Sequence, residues 1–563
     1  MKKFLTVLLS GVLLAATVFG AAGCNKDNAQ DDIDPGKSQL YIGAYNGGYG
    51  DEWMFDLKER FEEKYKDYSF EDGKTGVQVR INTSGATYVG ENILNNINNL
   101  NTEVIFTQES NYHAFALAGK VHDITDMVKE NLNEKFGEDA TILSKIPAEI
   151  EKYINVDGKY YGLPHLESYY GIHYNVDLFE EKLWYFSANP NNGNNGFIKN
   201  LSEQRSAGPN GVFDYDPAQP DKITDDGLPA TYDEFYKLCD RIKSGNEFTP
   251  LTWAGNAVQY VNLAAISFLA DELGVENNKR LYGTEGLAED VVIDGDLNNV
   301  QDINLTYHDG YKALQFEGLY KVLGFFEKII DNEYYLVDEN LDSSYTNLRA
   351  QRDFVLANRA NNENQPAMLI EGTYWESEAA SAFKTLETYG SSKYEARYAF
   401  MPYPKSSADK KGNVVMSVTP GYCYINGNIA PEKVELAETF LQFVYTNESL
   451  AEFTRITGAT KGVNYTLTPE QYDAMSYWEK SVWTYRENGI KAYSLSTSPL
   501  YINQSNRFRH YLNLESYYNN ANYPEIMKAF DAGASAEDVF LSIGSLKGAS
   551  WWEQTFGSIL ETL

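Results

Sequence analysis

Alternating strand and helix patterns near the amino end constrain the fold of this 563-residue chain more than any other feature. Residues 40–45 and 77–81 have the apolar or alternating patterns of strands, and residues 104–106 form the continuous apolar run of a buried strand. Between the first two strands, large apolar residues occupy every fourth position, at Trp53, Leu57, Phe61 and Tyr65. That spacing predicts an amphipathic helix with Trp53 in the core. Strand, helix and strand in succession predict a βαβ lobe and the α/β fold class.

Helix starts further along the chain favour the same fold class. Thr231 and Ser535 are each followed three residues later by an acidic residue, which is the pattern of a capping box. Apolar residues recur at helical spacing after both positions, and no internal repeat is visible in the sequence. We therefore predict α/β structure along the whole mature chain.

The charge of the chain excludes one large class of partners. Lys and Arg total 47 against 80 Asp and Glu, which gives a net charge of −33. Such a chain repels phosphate backbones, so we expect no nucleic-acid partner. With 43% apolar and 23% charged residues the composition is that of a folded protein, and three cysteines are too few for a disulfide framework. The 43 tyrosines are an unusual excess that a binding function would have to explain.

The amino terminus carries a targeting signal. Two lysines precede an apolar run over residues 4–19, and small residues then lead to Cys24, so residues 1–23 are predicted to be a signal peptide. A cysteine after small residues resembles the lipobox of bacterial lipoproteins, which implies a diacylglyceryl group on the Cys24 thiol. Residues 24–37 would then form a lipid-anchored tether that holds the protein at a membrane without spanning it. The alternative is ordinary secretion after cleavage near Ala22.

One segment departs from the alternating pattern. Residues 189–230 are rich in Pro, Asn, Gly and Asp, and are too long and irregular for an ordinary connection, so they are predicted to be an inserted loop. Four of its carboxylates are closely spaced and are candidate ligands for a structural calcium ion: Asp214, Asp216, Asp225 and Asp226. The alternative is a solvated acidic loop. No other cofactor is expected.

Motifs of catalysis are missing from the sequence. There is no phosphate-binding P-loop, no G-x-S-x-G and no H-E-x-x-H, and the six histidines include no helical i, i+4 pair. A glycosidase-like pair of carboxylates stays open, because 80 acidic residues offer many candidates. We therefore expect a binding protein and not an enzyme, and we assign no catalytic residue.

Several segments, in order along the chain, resemble a known family. They are DGKYYGLP at 157–164, GIHYNVDLF at 171–179, TYDEF at 231–235, AMLIEGTYW at 367–375, FMPYP at 400–404 and the helical stretch 437–458. This ordered set resembles the extracellular solute-binding proteins of ABC importers, in particular the carbohydrate-binding, family 1-like group. The resemblance implies a two-lobed clamshell of the periplasmic-binding-protein type II-like kind, with an interlobe hinge and ligand held between the lobes.

The same resemblance implies where the chain passes between the lobes. Lobe 1 would comprise residues 38–165 and about 416–457, and lobe 2 residues 166–415 and about 458–563, with the inserted loop 189–230 in lobe 2. The inserted loop, the stretch 275–345 and the overall length depart from the family pattern, which leaves the ligand's identity open.

Candidate ligand contacts follow from the chemistry of sugars. A sugar offers CH-rich faces to aromatic rings and hydroxyl groups to polar side chains, and strand ends and hinge segments are where such residues are expected. The candidates, several chosen by the family resemblance, are Tyr45, Asn46, Glu109, Glu167, Tyr169, Trp253, Asn256, Tyr260, Trp375 and Tyr422. Trp375 is the predicted stacking residue, at the start of a helix.

The resulting hypothesis is a monomeric substrate-binding lipoprotein. It would capture a sugar or oligosaccharide between two lobes and deliver it to the permease subunits of an ABC transporter. Its expected location is the extracellular face of the cell membrane, with a periplasmic location as the alternative. Two other functions stay open: a surface lipoprotein that binds peptides or other small solutes, and a glycan-processing hydrolase.

Overall fold

The computed structural model describes residues 32–45, 47–83, 85–90, 92–108, 110–216, 218–219, 222–331, 335–359, 364–418, 421–503 and 526–563. The predicted signal peptide, Cys24, Asn46 and Glu109 lie outside the described residues. Within them the strands, in chain order, are β1 (Ser38–Ala44), β2 (Val77–Asn82), β3 (Val104–Phe106), β4 (Leu163–Pro164), β5 (Tyr170–Asn175), β6 (Thr249–Thr252), β7 (Gly286–Ile293), β8 (Asp296–Leu305), β9 (Pro366–Gly372), β10 (Tyr398–Met401), β11 (Val414–Ser417), β12 (Tyr422–Ile425) and β13 (Ile490–Tyr493).

The described helices surround these strands. In chain order they are α1 (Glu52–Lys64), α2 (Asn92–Asn96), α3 (Tyr112–Leu117), α4 (Thr125–Lys129), α5 (Asn133–Phe136), α6 (Ile142–Lys145), α7 (Ala148–Ile154), α8 (Val176–Lys182), α9 (Tyr232–Lys243), α10 (Val258–Gly283), α11 (Glu317–Asp331), α12 (Asn347–Val355), α13 (Trp375–Glu378), α14 (Ala380–Glu387), α15 (Val434–Val444), α16 (Asn447–Thr457), α17 (Pro469–Asp473), α18 (Tyr477–Asn488), α19 (Ile526–Asp531), α20 (Ala536–Leu546) and α21 (Ala549–Leu560). Helices α9 and α20 begin directly after Thr231 and Ser535, as the capping pattern predicts.

Lobe 1 is built on a five-stranded sheet in the order β2-β1-β3-β12-β4. Strand β1 pairs in parallel with β2 and β3, whereas β12 is antiparallel to both β3 and β4. Helix α1 contacts β2 and α16, and its apolar stripe is buried as its spacing predicts. Trp53 is 4% exposed and packs edge-on to Phe106 of β3, so this helix fixes the position of the sheet's central strands.

Lobe 2 is built on a four-stranded sheet in the order β10-β5-β9-β6. Strand β5 is antiparallel to β10 and β9, and β6 runs parallel to β9. The long helix α10 packs on β5 and β9 and breaks at Gly274, whose φ of +71° a residue with a side chain would adopt only with strain. Helix α18 covers β10, so the sheet is enclosed by helices that come from distant parts of the chain.

A long hairpin and the last helices extend lobe 2. Strands β7 and β8 form an antiparallel pair, and α11 packs against α19 and α20. The inserted segment 189–230 has no helix or regular strand among its described residues. It is nevertheless folded: Phe197 and Ile198 are buried, and the Arg205 guanidinium lies 3.7 Å from the Tyr185 ring centroid and 3.9 Å from that of Tyr215.

In the described part of the chain, three segments run side by side where the lobes join. Residues 165–169 lead from β4 to β5, residue 418 follows β11 on the way to β12, and residue 460 follows α16. Glu167 forms a bridge with Thr460 and Ser168 forms one with Val418. These backbone pairs define the hinge, and they bring residues that are far apart in sequence to the base of the interlobe cleft.

Candidate ligand-binding cleft

The cleft opens at the carboxyl ends of β1 and β3, where parallel strands expose their last residues to a ligand. It is lined by Tyr45, Gly47, Tyr49, Gly50, Trp53, Phe106, Thr107, Gln108, His165 and Leu166. The cavity has room for about one water molecule, about 10 Å³, and is open on one side. A sugar ring needs more space than this structure provides at the cleft floor.

Four tyrosines close the cleft between the lobes, and we call Tyr49, Tyr170, Tyr260 and Tyr374 the tyrosine cluster. The ring of Tyr374, just after β9, lies 5.1 Å from that of Tyr260, 5.9 Å from that of Tyr170 and 6.3 Å from that of Tyr49. Only Tyr49 belongs to lobe 1. Its contact with Tyr374 therefore spans the cleft and must be broken or remodelled when a ligand enters.

The loop that carries Tyr49 comes unusually close to lobe 2. The Tyr49 and Ser168 hydroxyl oxygens are 3.0 Å apart, within hydrogen-bonding distance. Gly48 has φ +64°, and a Cβ atom there would lie 3.3 Å from Cβ of Tyr374. Both the backbone conformation and the close approach favour glycine at this position. Burial raises the pKa of Tyr49 and Tyr374, so both phenols stay neutral at physiological pH.

A pair of buried carboxyl groups supports the lobe 2 side of the tyrosine cluster. Glu371 on β9 has no exposed surface, and burial together with Glu378 raises its pKa well above the usual range. Glu378 accepts hydrogen bonds from Gln351 Nε2 (2.8 Å) and Asn347 Nδ2 (2.9 Å). Asn347 donates its backbone N–H to Oδ1 of Asn256, at 3.1 Å. This polar network fixes α12 and α13 behind Tyr374.

Glu167, predicted to contact ligand, is a hinge residue in the structure. It is 1% exposed, and its carboxylate accepts hydrogen bonds from Ser417 Oγ (2.7 Å), Arg486 Nε (2.9 Å) and Lys491 Nζ (3.3 Å). Burial alone would raise its pKa, but Arg486 and Lys491 outweigh that effect and lower the pKa to about 2. These partners occupy both carboxylate oxygens, and a ligand contact of Glu167 stays a prediction.

Trp375, the predicted stacking residue, is enclosed in this structure, and its ligand contact stays a prediction. It has no exposed surface and lies in the core of lobe 2. Its ring packs at centroid distances of 5.4–6.1 Å from those of His173, Phe354, Phe383, Tyr398 and Trp478. The preceding residue, Tyr374, reaches the cleft instead, because successive side chains at the start of α13 point in different directions.

The other predicted contacts divide between core and cleft. Tyr169, Trp253 and Tyr422 are at most 4% exposed; Tyr169 packs edge-on to Tyr485, and Tyr422 lies 5.2 Å from the Tyr112 ring. Core packing covers these three side chains in this structure. Tyr45 lines the cleft, Tyr260 belongs to the tyrosine cluster, and Asn256 is exposed beside α12. Ligand contacts of these three stay a prediction.

Several cleft residues are not predicted from the sequence, among them Tyr49, His165, Tyr170 and Tyr374, although each of these four has a usable signal. Tyr49 lies in the glycine-rich turn directly after β1, where the strand-end argument applies, and Tyr374 adjoins the aromatic residue that was chosen. His165 and Tyr170 lie at the same hinge segment as Glu167 and Tyr169, and only the packing of the two lobes decides which of these side chains reach the cleft.

Three of the four aspartates of the inserted loop accept hydrogen bonds from the backbone, whereas the Asp214 carboxylate lies 3.8 Å from Lys222 Nζ. Asp216 accepts from the Ala218 N–H at 2.9 Å and from Gln219 Nε2 at 3.0 Å. Asp225 accepts a hydrogen bond from the Asn210 N–H, and Asp226 accepts from those of Asp214 and Tyr215, at 2.9–3.1 Å. Among the described residues, no three His, Cys, Asp or Glu side chains converge in a way that could hold a metal ion. Calcium binding by this loop stays a prediction, which a calorimetric titration with Ca²⁺ would test.

Comparison with known proteins identifies the family. The family of bacterial extracellular solute-binding proteins matches residues 57–476, and this chain belongs to it. A search of curated protein sequences returns no match. No helix in the described part of the chain has the length and apolar character needed to cross a bilayer.

Solved structures with this fold include several solute-binding proteins. The chain resembles a chitin oligosaccharide binding protein (15% identity, TM-score 0.53, covering 91% of this chain and 98% of that one). It resembles maltose-bound MalE3 of T. maritima, with 12% identity and a TM-score of 0.51 over 91% of this chain and 99% of that one. It also resembles a probable secreted solute-binding lipoprotein from Streptomyces coelicolor, with 12% identity and a TM-score of 0.53 over 91% of this chain and 99% of that one. These likenesses confirm the predicted two-lobed α/β fold, and the family match confirms the resemblance to solute-binding proteins.

Proposed function

We propose that this protein captures a carbohydrate between its two lobes and delivers it to the permease subunits of an ABC importer. The observation that carries the proposal is the tyrosine cluster, which joins the lobes at the mouth of the cleft. Flat phenol rings stack on the CH faces of sugars, and neutral phenols can both donate and accept hydrogen bonds with hydroxyl groups. The similar proteins named for chitin oligosaccharide and maltose support this ligand class.

The charges around the cleft favour an uncharged ligand. The described residues that line the cavity include no lysine or arginine, and the Lys461 ammonium below the floor is already bonded to the lining residue His165. A uronate or sugar phosphate would find no cation among the lining residues to pair with its charge, which is costly in a water-poor site. We therefore propose neutral oligosaccharides as the ligand and a binding function without catalysis.

A thermal-shift screen tests this function. The screen would compare maltose, maltotriose and chitin trisaccharide with short peptides and with sugar phosphates. A ligand that binds only the folded state stabilises it and raises the unfolding temperature. The stabilisation grows with the logarithm of the ratio of ligand concentration to dissociation constant. We expect a neutral sugar to raise it. A shift with peptides and with none of the sugars would overturn the proposal in favour of a peptide receptor.

Replacement of Tyr374 by alanine is expected to weaken carbohydrate binding at least tenfold, because it removes the central ring of the tyrosine cluster. Tyr374→Phe keeps the ring and should lose less affinity. The matched control is Tyr394→Ala, since Tyr394 is 65% exposed on lobe 2 and lies outside the cluster. Calorimetry with the sugar that gives the largest thermal shift measures the three affinities; equal affinity for Tyr374→Ala and wild type would contradict the assignment.

The anchor at the membrane is part of the same proposal. The family is extracellular, and we propose that a diacylglyceryl group on Cys24 holds a monomer at the outer face of the cell membrane after removal of residues 1–23. Cys24→Ser should release the protein from the membrane fraction into the medium. Retention of the variant in that fraction, detected by immunoblot, would contradict the anchor.

A further inference from the structure

A buried lysine lies under the floor of the cleft. Lys461 is 1% exposed, and its Nζ lies 4.2 Å from the ring centroid of Phe453, 4.8 Å from that of Trp53 and 5.6 Å from that of Phe106. Within the described residues no carboxylate forms an ion pair with it. Nζ instead bonds to Nδ1 of His165, at 2.8 Å. Burial of a cation with only aromatic neighbours and one imidazole partner costs desolvation free energy, so a residue of this kind is a candidate for a functional role.

The pair determines which nitrogen of His165 carries the proton. An ammonium group only donates, so Nδ1 must accept, and the hydrogen of a neutral imidazole then lies on Nε2. Burial and the charge of Lys461 both lower the pKa of His165 well below its usual value, which keeps the ring neutral. The backbone N–H of His165 donates to the Gly421 carbonyl at 3.0 Å and holds the residue between two hinge segments.

Lys461 is surrounded by few titratable groups. The Cys423 thiol on β12 acts on its charge, and the Tyr465 hydroxyl accepts a hydrogen bond from its backbone N–H at 3.4 Å. Burial lowers the pKa of Lys461 to about 7. Below that pH the ammonium forces Nδ1 to accept. Above it the neutral amine still has hydrogens to donate, but it can also accept.

His165 itself faces the ligand space. It is one of the residues that line the cavity, and its ring packs against those of Phe106 (4.9 Å) and Trp53 (5.4 Å), which also contact each other. No hydrogen bond from Nε2 is recorded to any described residue. The ring is thus fixed by packing against two rings and by Lys461 at Nδ1, which leaves the Nε2–H group for a partner outside the protein.

We propose that His165 is a ligand-contacting hydrogen-bond donor of the cleft and that Lys461 is the positioning residue that holds its hydrogen on Nε2. This inference rests on the proposed capture of a carbohydrate and adds a requirement for the ligand. The sugar must present an acceptor to the cleft floor: a hydroxyl, a ring oxygen or a carbonyl oxygen. A group that only donates at that position would be rejected, because two donors would then face each other.

The tautomer is tested without any sugar. Nitrogen-15 NMR of the histidine-labelled protein distinguishes protonated from unprotonated ring nitrogens, and loss of one of six signals in His165→Gln assigns His165. At pH 6 we expect a protonated Nε2 and an unprotonated Nδ1. Lys461→Met should give a mixture of tautomers in a folded protein. A wild-type signal with the proton on Nδ1 would overturn the inference, whatever the protein binds.

Sugar affinities of two His165 variants distinguish a hydrogen-bond donor from a residue that only packs. The side-chain amide nitrogen of glutamine reaches the place of Nε2, whereas that of asparagine reaches the place of Nδ1. For maltotriose or chitin trisaccharide we expect His165→Gln to retain affinity within about threefold and His165→Asn to lose about tenfold, the value of one good hydrogen bond. The control is His122→Gln, whose side chain bonds Glu438 and lies outside the cavity lining.

The outcomes keep the two proposals apart. Equal losses for His165→Gln and His165→Asn would mean that the ring only packs, and would overturn the donor role while leaving carbohydrate capture intact. If neither sugar binds the wild-type protein but a peptide does, the proposed function fails, and the NMR result still decides the tautomer.

Discussion

Replacement of Glu167 by leucine is expected to lower the free energy of unfolding by about 3–5 kcal/mol. The carboxylate is buried at the hinge with Arg486, which is itself 2% exposed, and with Lys491. Leucine would remove the buried carboxylate that both cations share, and a desolvated charge that loses its buried partner accounts for most of such losses. Urea unfolding at pH 7 measures the effect.

A matched control is available on the same arginine. Glu487 pairs with Nη1 of Arg486 at 2.5 Å, but its side chain is 48% exposed. Glu487→Leu should therefore cost less than about 1 kcal/mol, because water screens an exposed pair. Similar losses of unfolding free energy in Glu167→Leu and Glu487→Leu would show that burial does not determine the contribution of the Glu167–Arg486 pair.

The pH dependence of the Glu167→Leu effect has a definite sign. The pKa of Glu167 is about 2 in the folded protein, below the ordinary value of 4.5. A depressed carboxyl pKa stabilises the fold above the unfolded pKa, and that stabilisation is lost as the pH falls through the folded one. The difference between wild type and variant should thus be constant near neutral pH and shrink between about pH 4.5 and pH 2. A difference that does not change over this range would contradict the ion-pair account.

Replacement of Trp375 by alanine is expected to lower the free energy of unfolding by about 3–5 kcal/mol, as for other large aromatic residues removed from a core. The ring has no exposed surface and packs among five aromatic neighbours that belong to β5, α12, α14, β10 and α18. Its loss would open a cavity where these elements meet. Trp375→Phe should cost less, because it refills part of that space.

The matched control for this variant is Trp551→Ala. Trp551 is half-buried on α21, so its removal exposes less new apolar surface and should cost clearly less than the loss of Trp375. Denaturant unfolding of the three variants, followed by calorimetry with maltotriose, separates stability from binding. Normal stability with lost affinity in Trp375→Ala would return that residue to the ligand site.

The predictions from local patterns were accurate where local physics decides the outcome. The stripe on α1 is buried because its spacing matches one helix face, and the starts of α9 and α20 follow Thr231 and Ser535 because their side chains accept hydrogen bonds from the first-turn backbone. Tyr45 lines the cleft because the ends of parallel strands lie at one edge of a sheet, and its contact with a ligand stays a prediction.

Local patterns give no information where the deciding partner is far away in the chain. The sequence places Glu167 at the hinge, but only the structure pairs it with Arg486 and Lys491, 319 and 324 residues further on. Trp375 was chosen over Tyr374, since both are aromatic and only the packing of five distant elements decides which ring is enclosed.

The amino-acid sequence by itself thus determined the α/β lobes, the family resemblance and an excess of tyrosine suited to a binding site. Those properties depend on spacing along one segment or on composition, which the chain carries without folding. Only the tertiary structure decided which tyrosines close the cleft and which acid holds the hinge, and it alone paired Lys461 with His165. Burial and pairing between residues hundreds of positions apart set the solvation of each side chain, and solvation separates a ligand contact from a core residue.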